Sequence, residues 1–208
     1  MAQVDIPAPH GRLEGLLWTQ EAPRGAALVC HPHPLAGGNL HNTVTYRVAA
    51  AFRTARCSVL RFNFRGVGAS TGAYDSGPGE LEDARTALDW FEGQLPPGVP
   101  LAVAGFSFGA RTALELAAVE PRVARVLAVG MATRLFELSV AESLHQPVAV
   151  IQSMRDEFAS VEDVRALVAR IPHARLFELP EADHLITGKQ REFDAVCATA
   201  VHWLLETS

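Results

Sequence analysis

Lysine is almost missing from this chain: Lys189 is the only one among 18 basic residues. A phosphate-gripping loop that needs a lysine anywhere else is thereby excluded. The arginines are scattered along a chain of net charge -5 and pI about 5.9, which argues against nucleic acid as a partner. Cysteine is scarce too. Cys30, Cys57 and Cys197 are odd in number and far apart, so neither a disulfide framework nor a zinc knuckle is expected. The opening residues, Met1 to Pro7, lack the basic start and apolar run of a signal peptide, and no apolar stretch approaches the length that spans a bilayer. These absences lead to the expectation of a cytoplasmic protein with reduced thiols and no membrane partner. They leave the oligomeric state open, although an N-terminal edge strand would permit pairing.

What is present is apolar content, 49% over 208 residues, enough for one domain with a sizeable core and too little length for two ordinary ones. Residues 1–208 are read as a single domain. Val4 to Trp18 alternate loosely around Pro7, Pro9 and Gly11 and predict two short antiparallel strands at an edge. From residue 26 onward, continuous apolar runs alternate with helical spacing. Strands are expected at 26–30, 57–64, 123–130, 147–152 and 175–179, and the run Leu101 to Gly109 reads as a strand running into a tight turn. Helices are expected on Val44, Val48 and Phe52, on Leu81 to Phe91, after Gly109, on Val161 to Ile171, and on Phe193 to Leu204, with a short helical stretch around Phe136, Val140 and Leu144. Arg65 to Gly79, rich in glycine, reads as loop. This order specifies an α/β fold, a doubly wound and mostly parallel sheet with helices on both faces. Ligands of such sheets bind beyond the carboxyl ends of the strands, so polar residues just after strands are the candidates for chemistry.

Gly105-Phe106-Ser107-Phe108-Gly109 ends one of these strands and fits the G-x-S-x-G nucleophile elbow, a strained strand-to-helix turn that pushes its serine out of the sheet. Serine needs a base, and the base an orienting group. Asp156 follows one later strand and His184 the next, so both fall on the rim that carries Ser107. His184 would accept the serine proton and Asp156 would hold the imidazole in the tautomer that can do so, with Glu157 and Asp183 as rivals for that second role. Two backbone donors for a developing oxyanion are expected: the N–H of Phe108, and one from the loop His31-Pro32-His33-Pro34-Leu35. Its prolines carry no N–H, which leaves His33 and Leu35, with His33 favoured by position. His31, His33 and His41 could be read as metal ligands, but no carboxylate or cysteine pattern accompanies them, and no metal is expected. Gly66, Gly68 and Gly72 miss the dinucleotide spacing by one residue, and no cofactor is expected. Cys30 lies in a buried strand and reads as core.

The chain resembles the α/β-hydrolase fold superfamily over nearly its whole length. More narrowly it is similar to small capless bacterial hydrolases that carry a His-Pro-His-Pro loop, here His31 to Pro34 with Gly37 and Gly38, a Phe-Asn-Phe-Arg-Gly-Val-Gly segment, here Phe62 to Gly68, and the Gly-Phe-Ser-Phe-Gly elbow. Asp156-Glu157 and Ala182-Asp183-His184 also match. Gln152-Ser153-Met154-Arg155 departs from the glycine and small polar residues that many members place before the acid. Arg65, by the same resemblance, is structural. Relatives include dienelactone hydrolases, which use cysteine at the elbow, and serine peptidase domains; the serine here does not imply dienelactone activity. The resemblance implies a serine hydrolase of a small carboxylic ester, or of a thioester or amide, working through an acyl-enzyme on Ser107. The alternatives are a ligand-binding or interaction module on the same fold, or an acyltransferase or haloperoxidase-like activity. No stretch between the elbow helix and Asp156 is long enough for a cap, so a shallow pocket for a small-molecule substrate is expected.

Overall fold

The computed structural model describes residues 1–207. One eight-stranded sheet organises them. Its strands are β1 (Ala2–Ala8), β2 (Gly11–Trp18), β3 (Ala26–Cys30), β4 (Ser58–Phe62), β5 (Leu101–Phe106), β6 (Val123–Val129), β7 (Val148–Ser153) and β8 (Ala174–Leu179), in the spatial order β1-β2-β4-β3-β5-β6-β7-β8. β1 pairs antiparallel with β2, and β2 antiparallel with β4; every later pair is parallel. The five helices are α1 (Thr43–Thr54), α2 (Pro78–Glu92), α3 (Phe108–Val119), α4 (Val161–Val168) and α5 (Gln190–Glu206).

The continuous apolar runs have a direct structural cause. Successive strand residues face opposite sides of the sheet, and here both sides are covered. Leu28, Leu101 and Val103 belong to the core that includes Ala84, Leu88, Phe108, Leu114 and Val164 of α2, α3 and α4. Their neighbours Ala27, Val29, Ala102 and Ala104 belong to the opposite core, with Val48 and Phe52 of α1 and Phe193, Cys197 and Leu204 of α5. Helix starts are chemically marked. Asn42 caps α1 by accepting from the Val44 and Thr45 N–H groups at 2.9 and 3.2 Å, and Ser160 caps α4 through the Asp163 N–H. Pro78 opens α2, where a missing N–H costs nothing, and the buried Glu80 carboxylate reaches back to the Gly77 N–H at 2.7 Å.

The predicted elements are all present. The short helical stretch expected around Phe136, Val140 and Leu144 is a five-residue 3-10 helix, Ser139–Ser143; so few apolar residues at helical spacing do not sustain a longer α-helix. β4 stops at Phe62; the Asn63 N–H still reaches Glu14 O of β2 at 2.8 Å, the Phe64 N–H turns to His31 Nε2, and the glycine-rich loop ends at Gly77. No helix among the described residues is long and apolar enough to cross a membrane.

The strand-to-helix turn between β5 and α3 is tightly packed against the chain leaving β3. A Cβ on Gly109 would lie 2.4 Å from the Cys30 carbonyl oxygen and 2.6 Å from that of His31, both backbone atoms of the chain leaving β3. Gly37, by contrast, has φ +80° and nothing within 4 Å of its virtual Cβ. Gly109→Ala is expected to cost about 3 kcal/mol or more, since backbone cannot step aside, whereas Gly37→Ala should cost only about 1 kcal/mol of left-handed strain. Urea unfolding of both variants checks the ordering.

Candidate active site

Ser107 sits between β5 and α3 with φ 57° and ψ -115°, a backbone conformation that costs an L-residue on the order of 1–3 kcal/mol. The turn is held from both sides: the Ser107 N–H donates to Val129 O at 2.9 Å, and the Ser107 carbonyl accepts the N–H groups of Ala110 and Arg111. Gly105 completes the constraint, since a Cβ there would meet the Gly109 carbonyl oxygen at 2.0 Å. Ser107 is thus presented at the carboxyl end of the sheet and at the start of α3.

His184 lies in the loop after β8 and Asp156 in the loop after β7. All three side chains are buried and form one hydrogen-bonded chain. Ser107 Oγ is 3.0 Å from His184 Nε2, and His184 Nδ1 is 2.8 Å from Asp156 Oδ2. A carboxylate accepts only, so the Nδ1 proton faces Asp156, and Nε2 is left with the lone pair that accepts the serine hydroxyl. Asp156 is further satisfied by the Phe158 N–H at 2.8 Å and by Gln152 Nε2–H at 2.8 Å. Three donors on one buried carboxylate offset the loss of its water. The imidazole is wedged between aromatic rings, with the Phe106 centroid 5.1 Å away and tilted by 30°, and Phe158 edge-on at 4.9 Å. Gly130, at φ +62°, leaves room for this packing: a Cβ would meet the Phe106 ring at 2.9 Å and His184 Cε1 at 3.3 Å.

The two rivals of Asp156 are close but otherwise engaged. Glu157 accepts the backbone N–H of His184 at 3.2 Å. Asp183 accepts the Thr187 N–H at 2.8 Å, and this backbone hydrogen bond lowers its pKa below the usual carboxylate value. The departure at Gln152 also finds its reason, which the sequence did not disclose. Its amide is a bridge: Oε1 accepts the Met131 N–H at 2.8 Å while Nε2 holds Asp156, tying the loop after β6 to the loop after β7.

The loop after β3 is braced by its histidines. His31 is fully buried; Nδ1–H donates to Pro32 O at 2.6 Å and Nε2 accepts the Phe64 N–H at 3.1 Å. His33 Nδ1 accepts the Leu35 N–H at 3.2 Å, and its Nε2 meets Tyr74 Oη at 3.1 Å. Both rings therefore have both nitrogens occupied by protein groups, and His41 is exposed and apart from them. The two N–H candidates of this loop are thereby separated. That of Leu35 is spent on His33, and its side chain is exposed; that of His33, like that of Phe108, has no protein acceptor among the described residues. Tyr74 is the residue that sequence reasoning missed, because it comes from the glycine-rich loop some 40 positions downstream of His33. That loop is no dinucleotide cradle. Its glycines turn it back onto β2, where Glu14 accepts Asn63 Nδ2–H and the Ala69 N–H, and Arg65 clamps the buried Asp83 of α2 through Nε and Nη2. Cys30 is buried in β3, and burial raises its thiol pKa far above the ordinary value.

Ser107 and His184 open onto a cleft of about 240 Å³. Its walls come from the loop Pro32–Gly38, Asn42, Phe106, Leu135, Phe136, Phe158 and Leu185. The sequence profile of the alpha/beta hydrolase fold matches residues 28–140, more than half of the chain. The chain belongs to the alpha/beta hydrolase fold family. The hydrolase is 35% identical to an uncharacterised protein of Rickettsia prowazekii over 203 residues, 93% of this chain and 85% of that one. It is similar in structure to an alpha-beta serine hydrolase homologue from Coxiella burnetii, with a TM-score of 0.87 and 31% identity over 95% of this chain and 96% of that one. It also resembles a Xanthomonas campestris protein described as an α/β serine hydrolase without a lid, with a TM-score of 0.90 and 29% identity over 100% of this chain and 96% of the other.

The buried His31 makes the stability of the hydrolase depend on pH. Burial lowers its pKa from 6.5 to about 4, opposed by the hydrogen bond to Pro32, which raises it. The unfolded chain takes up this proton near pH 6.5 and the folded chain only near 4, so the contribution is whole above about 6.5. It declines by about 3 kcal/mol as the pH falls to about 4. Urea unfolding at pH 7 and pH 4.5 should therefore show a larger acid loss for the wild type than for His31→Gln; equal losses would assign the effect to other groups.

Proposed function

We propose that this hydrolase cleaves small carboxylic esters, and that Ser107, His184 and Asp156 are its nucleophile, base and orienting acid. The observation that carries the reading is the continuous chain of hydrogen bonds from Ser107 Oγ through His184 to Asp156, buried at the mouth of a cleft. Ser107 Oγ attacks the ester carbonyl carbon as its proton passes to His184 Nε2, and the carbonyl oxygen becomes an oxyanion. The unpartnered N–H groups of Phe108 and His33 are the donors assigned to that oxyanion, each worth on the order of 3 kcal/mol in such sites. Collapse expels the alcohol, which takes the proton from Nε2, and leaves an acyl-serine. Water then gives its proton to the same nitrogen and attacks the acyl carbon; the bond to Ser107 Oγ breaks, the acid leaves, and Nε2 returns the proton to Oγ. Asp156 stays ionised throughout and stabilises the imidazolium. A cleft of about 240 Å³ favours small acyl and alcohol groups. The serine hydrolase relatives in Coxiella burnetii and Xanthomonas campestris support the same chemistry.

A fluorophosphonate probe should label the wild type and leave Ser107→Ala unlabelled; labelling that persists in the variant would remove Ser107 from the nucleophile role. Asp156→Asn, assayed with p-nitrophenyl acetate, should lower kcat by about 10³–10⁴-fold with KM little changed, because the wrong imidazole tautomer then faces the serine. A drop confined to KM would contradict the orienting role.

A further inference from the structure

We infer that the cleft selects uncharged esters and discriminates against substrates that carry a negative charge near the scissile bond. The inference rests on the ester-hydrolase reading of Ser107 and adds a substrate class to it. Among the residues that line the cleft there is no Asp, Glu, Lys or Arg. The polar lining is neutral as well. His33 accepts a backbone N–H on Nδ1 and so holds an unprotonated nitrogen there, and Asn42 has its carboxamide oxygen committed to capping α1.

The arginines of neighbouring segments do not line the cleft. Arg134, next to Leu135, donates Nη1–H to the Glu157 carbonyl at 2.9 Å. Arg111 lies over the Phe136 ring but pairs with Glu115 at 2.8 Å, and Arg155 pairs with Glu181. The charges directly behind the site have the opposite sign: Asp156 on the His184 ring and Glu157 on the His184 backbone N–H. A carboxylate bound between Leu135, Phe136, Phe158 and Leu185 would lose its water, meet no cation in the lining, and lie near two carboxylates, Asp156 and Glu157. A methyl ester of the same length would lose little water and gain apolar contact.

The test uses two fluorophosphonates on the same short alkyl chain, one ending in a methyl ester and the other in a carboxylate, with second-order rates of Ser107 labelling normalised to reaction with hydroxide. The neutral probe should label about 10- to 100-fold faster. Leu135 is 56% exposed, so Leu135→Arg should fold normally. It adds a cation to the wall and should shrink or reverse the ratio. Equal rates, faster labelling by the carboxylate probe, or a wild-type ratio untouched by Leu135→Arg would each overturn the inference while leaving Ser107 as nucleophile. Failure of both probes to label Ser107 would overturn the ester-hydrolase reading itself, and the inference with it.

Discussion

The geometry of the site depends on how closely helix α3 can approach the backbone leaving β3. At Gly109 the two chains are so near that a single methyl group would overlap two carbonyl oxygens, and Gly105 faces the same turn from the strand side. This contact holds Ser107 in a left-handed conformation that an L-residue avoids in isolation. The strain is distributed over packing that many other residues support, including Phe108, Ala110 and Leu114 in the core between α3 and the sheet. A serine on a looser turn would have the same chemistry available but no fixed direction in which to offer it.

Around this turn, buried polar groups keep the flanking loops in place. His31 bridges Pro32 and Phe64, so the end of β3 and the exit from β4 are joined by one imidazole. Asn63 accepts the Leu40 N–H and donates to Glu14, and Arg65 and Asp83 anchor the next loop to α2. Such groups add little net stability when satisfied, but they are costly to leave unpaired, which makes alternative loop arrangements unfavourable. Gln152 does the same on the other side of the serine, where it links Met131 to Asp156. The site is thus held by side chains that do not line the cleft.

The distribution of charge follows from the same arrangement. The carboxylates near the site are turned inward, onto His184 and its neighbouring backbone, and the arginines are turned outward onto Glu115 and Glu181 or onto the Glu157 carbonyl. What remains to face a ligand is aliphatic and aromatic surface with neutral polar groups. Under the selectivity proposed above, such a cleft would rely on shape and on avoiding unpaired charge, because its lining holds no charged side chain with which to attract a substrate.

The alternation of buried runs with helical spacing determined the α/β architecture, since a strand covered on both faces and a helix covered on one leave different periodicities in the chain. Gly105 and Gly109 determined the elbow for a local steric reason, and the positions of Asp156 and His184 just beyond strand ends put them on the rim of Ser107 through the parallel sheet alone. The tertiary structure decided whatever depends on contacts between residues distant in sequence. It put Asp156, and not Asp183 or Glu157, against Nδ1 of His184, engaged the N–H of Leu35 while leaving that of His33 without a protein acceptor, and made the short helical stretch expected around Phe136 to Leu144 a 3-10 helix. It also brought Tyr74 to His33 and Gln152 to Asp156. Those pairings come from separate loops or from the end of a strand, where no periodicity constrains the side chain, so their directions exist only once the whole sheet is assembled.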